Sequence, residues 1–218
     1  MKQHIKTYKS ELGVIELSVS SNKYGFSTTE NTIGRVKEST LNYVDGGIKV
    51  IEFKLPNPIY NGDRITNSIG WSILIESFRE NKAPLIFQCC FKEKIIGDIL
   101  TGEHLDALRF VYNNYDLHIG TEDAESFMWR ADIENYMPKR FFKLLRNKHQ
   151  NYADKHFTNY LENGFQTRLP KLIKGEVVKF HFLIAESEIL NENDVRTWLA
   201  VEKRIEEVEQ IIDNEKAA

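Results

Sequence analysis

The sequence has only two cysteines, and they are adjacent, Cys89 and Cys90. That count excludes a disulfide scaffold and a four-cysteine zinc site. On a strand the two thiols would point to opposite faces and could not bridge each other. Long apolar runs are missing too: none approaches the ~18–20 residues of a membrane-spanning helix. The opening stretch MKQHIKTYKSELG lacks the apolar segment of a secretion signal. Charge of one sign is also lacking. The net charge is −3 and the pI about 6.1, so no global field draws the chain to nucleic acid or acidic lipid. The simplest placement is cytoplasmic, with no membrane partner.

Phosphate-cradling and nucleophile motifs are absent as well. The isolated Gly46-Gly47 has neither the spacing nor the Lys-Ser/Thr of a P-loop. There is no G-x-S-x-G turn, and Cys89-Cys90 sits in an apolar run where thiols are inert. The six histidines are His4, His104, His118, His149, His156 and His181. No two stand four apart as helical metal ligands must, and HExxH does not occur. No metal and no cofactor are therefore expected.

What is present is an ordinary globular composition, 41% hydrophobic and 28% charged, with 11% aromatics. At 218 residues, with no repeat and no sharp composition shift, the chain reads as one domain. Residues 83–120, APLIFQCCFKEKIIGDILTGEHLDALRFVYNNYDLHIG, are its organising stretch. Pro84 to Phe91 reads as a central strand. Thr101 is placed to cap a helix, because Leu105, Leu108, Val111, Tyr112 and Tyr115 recur at three- and four-residue intervals. Asp116 to Gly120 then reads as a short returning strand. Residues 101–165 are expected to be mostly helical, with Thr121 and Pro138 starting helices and Gly164 ending one. The alternation in VVKFHFLIA predicts a late strand within 176–186. Residues 193–214 are expected to form one long helix, capped by Asn191 or Asn193. The fold class that follows is α+β, a mainly antiparallel sheet packed against several helices.

Three groups of residues stand out. Asp116 and His118 share a strand face and are followed by Glu122 and Arg130. His118 as general base, Asp116 or Glu122 orienting it and Arg130 holding an anion would make a small hydrolase or transferase. The same acids also suit a helix start, where they complement the dipole. From Pro138 to His156, six Lys or Arg stand against Asp154, a net +5. Lys139, Arg140, Lys143, Arg146 and Lys148, with Phe141, Phe142 and Tyr152 interleaved, would suit single-stranded nucleic acid. A solvated helix face, paired with the acidic C-terminal segment, explains the same pattern. Finally, Trp198, Val201, Ile205 and Val208 repeat at heptad-like spacing, a stripe for a homodimer, a partner or the chain's own core.

The leading expectation is a non-enzymatic protein-interaction module, of the inhibitor, immunity or adaptor kind. An enzyme built on residues 116–130 and a nucleic-acid binder built on 139–148 are the alternatives.

Overall fold

The computed structural model describes residues 2–58, 64–102, 105–149, 157–191 and 194–218. Its first seven elements are strands: β1 (Lys2–Ser10), β2 (Gly13–Ser20), β3 (Ser27–Ile33), β4 (Val36–Tyr43), β5 (Gly46–Phe53), β6 (Asn67–Ser77) and β7 (Ile86–Phe91). Three more strands follow, β8 (Asp98–Thr101), β9 (Leu105–Tyr112) and β10 (Tyr115–Glu122), then helices α1 (Ala124–Asp132) and α2 (Arg140–His149). The chain closes with β11 (Thr158–Leu161), β12 (Gly164–Arg168), β13 (Val177–Glu188), α3 (Arg196–Val201) and α4 (Ile205–Ala217).

The strands form two antiparallel sheets. The smaller has the order β1-β2-β7-β12-β11, the larger β3-β4-β5-β6-β13-β10-β9-β8. Their inner faces share one core. Ile15, Leu17, Phe87, Phe91 and Phe165 come from the small sheet, and Trp71, Ile73, Phe110, Leu117, Phe180 and Phe182 from the large one. Phe87 meets Phe180 edge-on at 5.2 Å and Phe91 meets Phe110 at 4.9 Å, the spacing favoured by aromatic pairs. This is a sandwich, with its sheets held by interdigitating side chains.

The large sheet is covered on its outer face too. Ile51, Phe53, Ala107, Leu183 and Ala185 pack there against Ala200, Val201, Val208 and Ile212 of α3 and α4. Its central strands β10 and β13 are therefore buried on both faces along nearly their whole length. No helix among the described residues is long and apolar enough to cross a membrane.

The α+β expectation is overturned. Among the described residues strand makes up 49% and helix 18%, in four short pieces. The helix expected after Thr101 is the β8–β9–β10 meander. Its Asn113-Asn114 step is a two-residue hairpin turn with φ of 48° and 66°, the left-handed pair that a type I′ turn requires. Leu108 and Phe110 enter the sandwich core while Leu105 and Ala107 face α3 and α4. Apolar residues on both faces erased the period of two and left spacings of three and four by coincidence. Likewise Thr158 to Arg168 is a β11–β12 hairpin, with Gly164 opposite Leu161 rather than ending a helix. Residues 150–156 of that expected helix lie outside the described residues. Asp123, not Thr121, caps α1, its carboxylate accepting from Ser126 N–H at 2.7 Å. The single long C-terminal helix is two, parted at Glu202–Arg204. The late strand stands, extended to Glu188.

The end of α4 docks on the turn between β3 and β4. Arg35 N–H donates to Glu215 O at 2.9 Å, supplying a cap for a helix carbonyl. Gly34 sits there at φ +57°, and a Cβ on it would lie 2.4 Å from Lys216 O and 2.6 Å from Glu215 O. Gly34→Ala is therefore expected to lower stability by about 1–2 kcal/mol from its backbone conformation alone, and further by pushing α4 away. Urea denaturation measures the loss, and amide exchange should show it concentrated in α4.

Candidate functional site

Strand β10 sorts its side chains by parity. Leu117 and Ile119 enter the sandwich core, so Asp116, His118, Gly120 and Glu122 face outward beneath the C-terminal helices. A Cβ on Gly120 would lie 2.9 Å from Val201 Cβ, which shows how closely α3 is laid on this row.

The structure brings Asp116 and His118 together and shuts them in. Both are buried, at 2% and 3% exposure. Arg109 holds Asp116 through two bonds, Nε to Oδ1 at 3.0 Å and Nη2 to Oδ2 at 3.3 Å. Thr197 Oγ1 donates to Asp116 Oδ2 at 3.3 Å and lies 2.9 Å from His118 Nδ1. One hydroxyl proton serves Asp116, so Oγ1 accepts from Nδ1–H. Asp116 Oδ1 approaches the same nitrogen, at 3.7 Å. A nucleophile–base–acid relay needs its two partners on opposite ring nitrogens, whereas here both crowd Nδ1. The ring packs edge-on against Trp198 at 5.8 Å. Burial pushes the His118 pKa down to about 4, beyond what Asp116 returns, so the ring is neutral at pH 7.

Glu122 and Arg130 form a second buried pair, at 2% and 1% exposure. Arg130 Nη1 donates to both carboxylate oxygens, at 2.7 and 2.6 Å. Its Nη2 donates to Lys179 O at 2.8 Å and Tyr136 O at 3.5 Å, and Nε to Asn135 O at 3.2 Å. The five N–H groups of a guanidinium are thereby engaged inside the chain. These bonds also grip a strained loop, in which Glu134 and Tyr136 adopt φ of 57° and 48°. Burial raises the Glu122 pKa; Arg130 lowers it, and the Glu206 and Asp123 carboxylates raise it further.

His181 is a neighbour that the sequence did not mark. It is fully buried, with Nδ1 3.7 Å from Glu122 Oε2, and is paired in register with Ser72. Among the described residues neither ring nitrogen meets a partner at full hydrogen-bond geometry, nor does Ser72 Oγ. Burial, then the Arg130 and Lys179 charges, lower its pKa to about 3, while the Lys203 backbone partly offsets the shift.

Above the Glu122–Arg130 pair opens a cleft of about 420 Å³. One wall is α1, with Glu125, Ser126, Met128 and Trp129; the other is the start of α4, with Arg204, Ile205 and Glu206. Asn135 Nδ2 ties the walls by donating to Glu206 Oε1 at 2.7 Å. Trp129 is 54% exposed here, whereas Trp71 is fully buried. A signal for this existed: Phe127 and Trp129 lie two apart on a helix, about 200° around the axis, so only one can face the core. Phe127 does.

The other two groups separate differently. Among the basic residues Arg140 is committed, bonding Glu176 through Nε at 2.5 Å and Nη2 at 2.7 Å and stacking on Phe141. Lys139 lies 3.8 Å from Glu134, both exposed. Lys143 and Arg146 face solvent, and the Lys148 side chain lies outside the described residues. Among the described residues the partners of Lys139 and Arg140 are Glu134 and Glu176, not the acidic C-terminal segment. In the heptad-like stripe, Val201, Ile205 and Val208 are buried and Trp198 half-buried against the large sheet. A homodimer through that stripe would require α3 and α4 to leave the sheet.

Among the described residues no three His, Cys, Asp or Glu side chains cluster as metal ligands. No protein-family model matches the chain, and no curated protein is significantly similar to it.

Proposed function

We propose that the chain is a non-enzymatic protein-interaction module of the inhibitor, immunity or adaptor kind, acting in the cytoplasm through the cleft between α1 and α4. The observation that carries this reading is Trp129, a large ring left 54% exposed on the wall of a concave site. Exposed tryptophans beside pockets are the side chains on which protein interfaces concentrate their binding energy. Ile133, one helical turn further along the same side, is 53% exposed and extends the apolar surface. By contrast, the acid–base residues of the enzyme alternative, His118, Asp116, Glu122 and Arg130, are each at most 3% exposed. A general base must come within hydrogen-bond reach of a substrate, and these four are bonded inside the chain instead, Glu122 to Arg130, Asp116 to Arg109 and Thr197, and His118 to Thr197. The exposed bases Lys143 and Arg146 favour nucleic acid as the second reading.

Affinity capture from the native host, with wild type and Trp129→Ala side by side, tests the proposal. Wild type is expected to retain one protein in near-equal amount, and Trp129→Ala to lose it by about tenfold or more. Equal capture by both would remove the cleft from the interface. Nucleic acid that elutes with salt would replace this reading with the α2 one, and recovery of no macromolecule would return the question to an enzyme.

A further inference from the structure

We propose that the cleft between α1 and α4 receives a basic side chain, Lys or Arg, of the partner, laid over the Trp129 ring between the Glu125 and Glu206 carboxylates. The inference rests on the protein-interaction reading and names what the cleft selects.

The argument begins with the cations around the cleft, most of which are spent internally. Arg130, on the floor, has its donors engaged by Glu122 and three backbone carbonyls. Lys203 Nζ donates to Leu199 O at 2.7 Å and Glu202 O at 3.0 Å, closing the end of α3. Lys179 is paired with Glu209. Arg204 alone remains among the lining bases. A phosphate or carboxylate ligand would therefore find few free donors.

The carboxylates are in the opposite condition. Glu125 is exposed on the α1 wall and, among the described residues, forms no ion pair. Glu206 faces it from α4, accepts a neutral amide from Asn135 and, among the described residues, forms no ion pair. Its charge reaches the floor, where Glu206 and Asp123 both push the Glu122 carboxyl upward. An exposed indole completes the set, since the faces of Trp rings attract cations more strongly than those of Tyr or Phe. Met128 and Ile205 give the methylene stem of Lys or Arg an apolar bed. A volume of about 420 Å³ accepts one such side chain with its flanking backbone.

The test is NMR of the full chain labelled at its three tryptophan indoles, with Trp129 assigned through Trp129→Phe. The probes are capped tripeptides, Gly-Arg-Gly, Gly-norleucine-Gly and Gly-Glu-Gly. The arginine peptide is expected to move the Trp129 indole and bind about five- to tenfold tighter than the norleucine peptide, a preference that Glu125→Gln/Glu206→Gln abolishes. Equal binding of the norleucine or glutamate peptide, or no Trp129 response to the arginine peptide, overturns the inference. Host capture with the double Gln variant separates the two levels. A partner lost with Trp129→Ala but fully kept by the double Gln variant sinks the charge selectivity and leaves the interaction reading standing; a partner kept by both removes the cleft from the interface and the inference with it, and capture of no protein sinks the interaction reading itself.

Discussion

Arg130→Met should destabilise the fold by about 3–5 kcal/mol, the usual consequence of removing one partner of a buried ion pair. The magnitude comes less from the lost attraction than from what is left behind. Glu122, 2% exposed, would hold a carboxylate with no counter-charge, and the carbonyls of Lys179 and Asn135 would lose their donors. Desolvated polar groups without partners are among the costliest defects a core can carry. The loop from Glu134 to Tyr136 adds to the loss, because the same guanidinium bonds the carbonyls of Asn135 and of the left-handed Tyr136. Adding Glu122→Gln to Arg130→Met should restore a substantial part of the stability, since the stranded charge is gone while the carbonyls stay unpaired. Urea denaturation of the two single variants and the double supplies the cycle. A loss below about 1 kcal/mol for Arg130→Met would mean that water reaches Glu122.

The same pair shows what could be read in the sequence and what could not. Asp116 and His118 two apart do share a face, and strand parity was enough for that; that Arg130 bonds Glu122 was not read from the sequence. Strand β9 was hidden, although Asp116 to Gly120 in β10 was read as a strand. The large sheet is buried on both faces, so β9 and β10 carry apolar or internally bonded residues at odd and even positions alike. Period-two alternation appears only where one face of a strand meets water. Along Leu105–Tyr115 the remaining pattern matched a helix, and only Asn113-Asn114 carried the true signal. His181 was legible as a strand residue but not as a neighbour of Glu122, because that contact depends on which strand lies beside β10. The α1–α4 cleft was illegible for a different cause. The break at Glu202–Arg204, which turns Arg204, Ile205 and Glu206 toward α1, carries neither Pro nor Gly. Of the stripe through Trp198, Val201, Ile205 and Val208, Trp198, Val201 and Val208 pack on the chain's own sheet.

Acid should loosen the same face of the molecule. His118 and His181 lie on the outer side of the large sheet, under α3 and the α3–α4 junction. Asp116, Arg109, Thr197 and Trp198 face the first; Glu122, Arg130, Lys179, Ser72 and the Lys203 backbone face the second. Their folded pKa values, about 4 and about 3, are both depressed below the ordinary 6.5. The unfolded chain therefore binds more protons than the folded one as pH falls through 6.5, and stability must fall with it, down to pH values of about 4 and about 3. Between pH 8 and pH 5 each histidine should remove about 2 kcal/mol. Asp106 works against them. Burial raises its pKa to about 6, so its protonation favours the folded state and returns about 1 kcal/mol over the same range. Glu122 and Glu186, also raised, act in the same restoring direction. The net slope is thus smaller than the histidine contribution, and the decisive comparison is between variants. His118→Gln and His181→Leu should each flatten the pH dependence of the unfolding free energy, measured in urea, by about 2 kcal/mol between pH 8 and pH 5, additively, because the two rings have separate partners. Amides of α3 and α4 should lose protection at pH 5 before those of β7, which lies in the other sheet. A double variant with the same pH slope as wild type would place the acid sensitivity elsewhere.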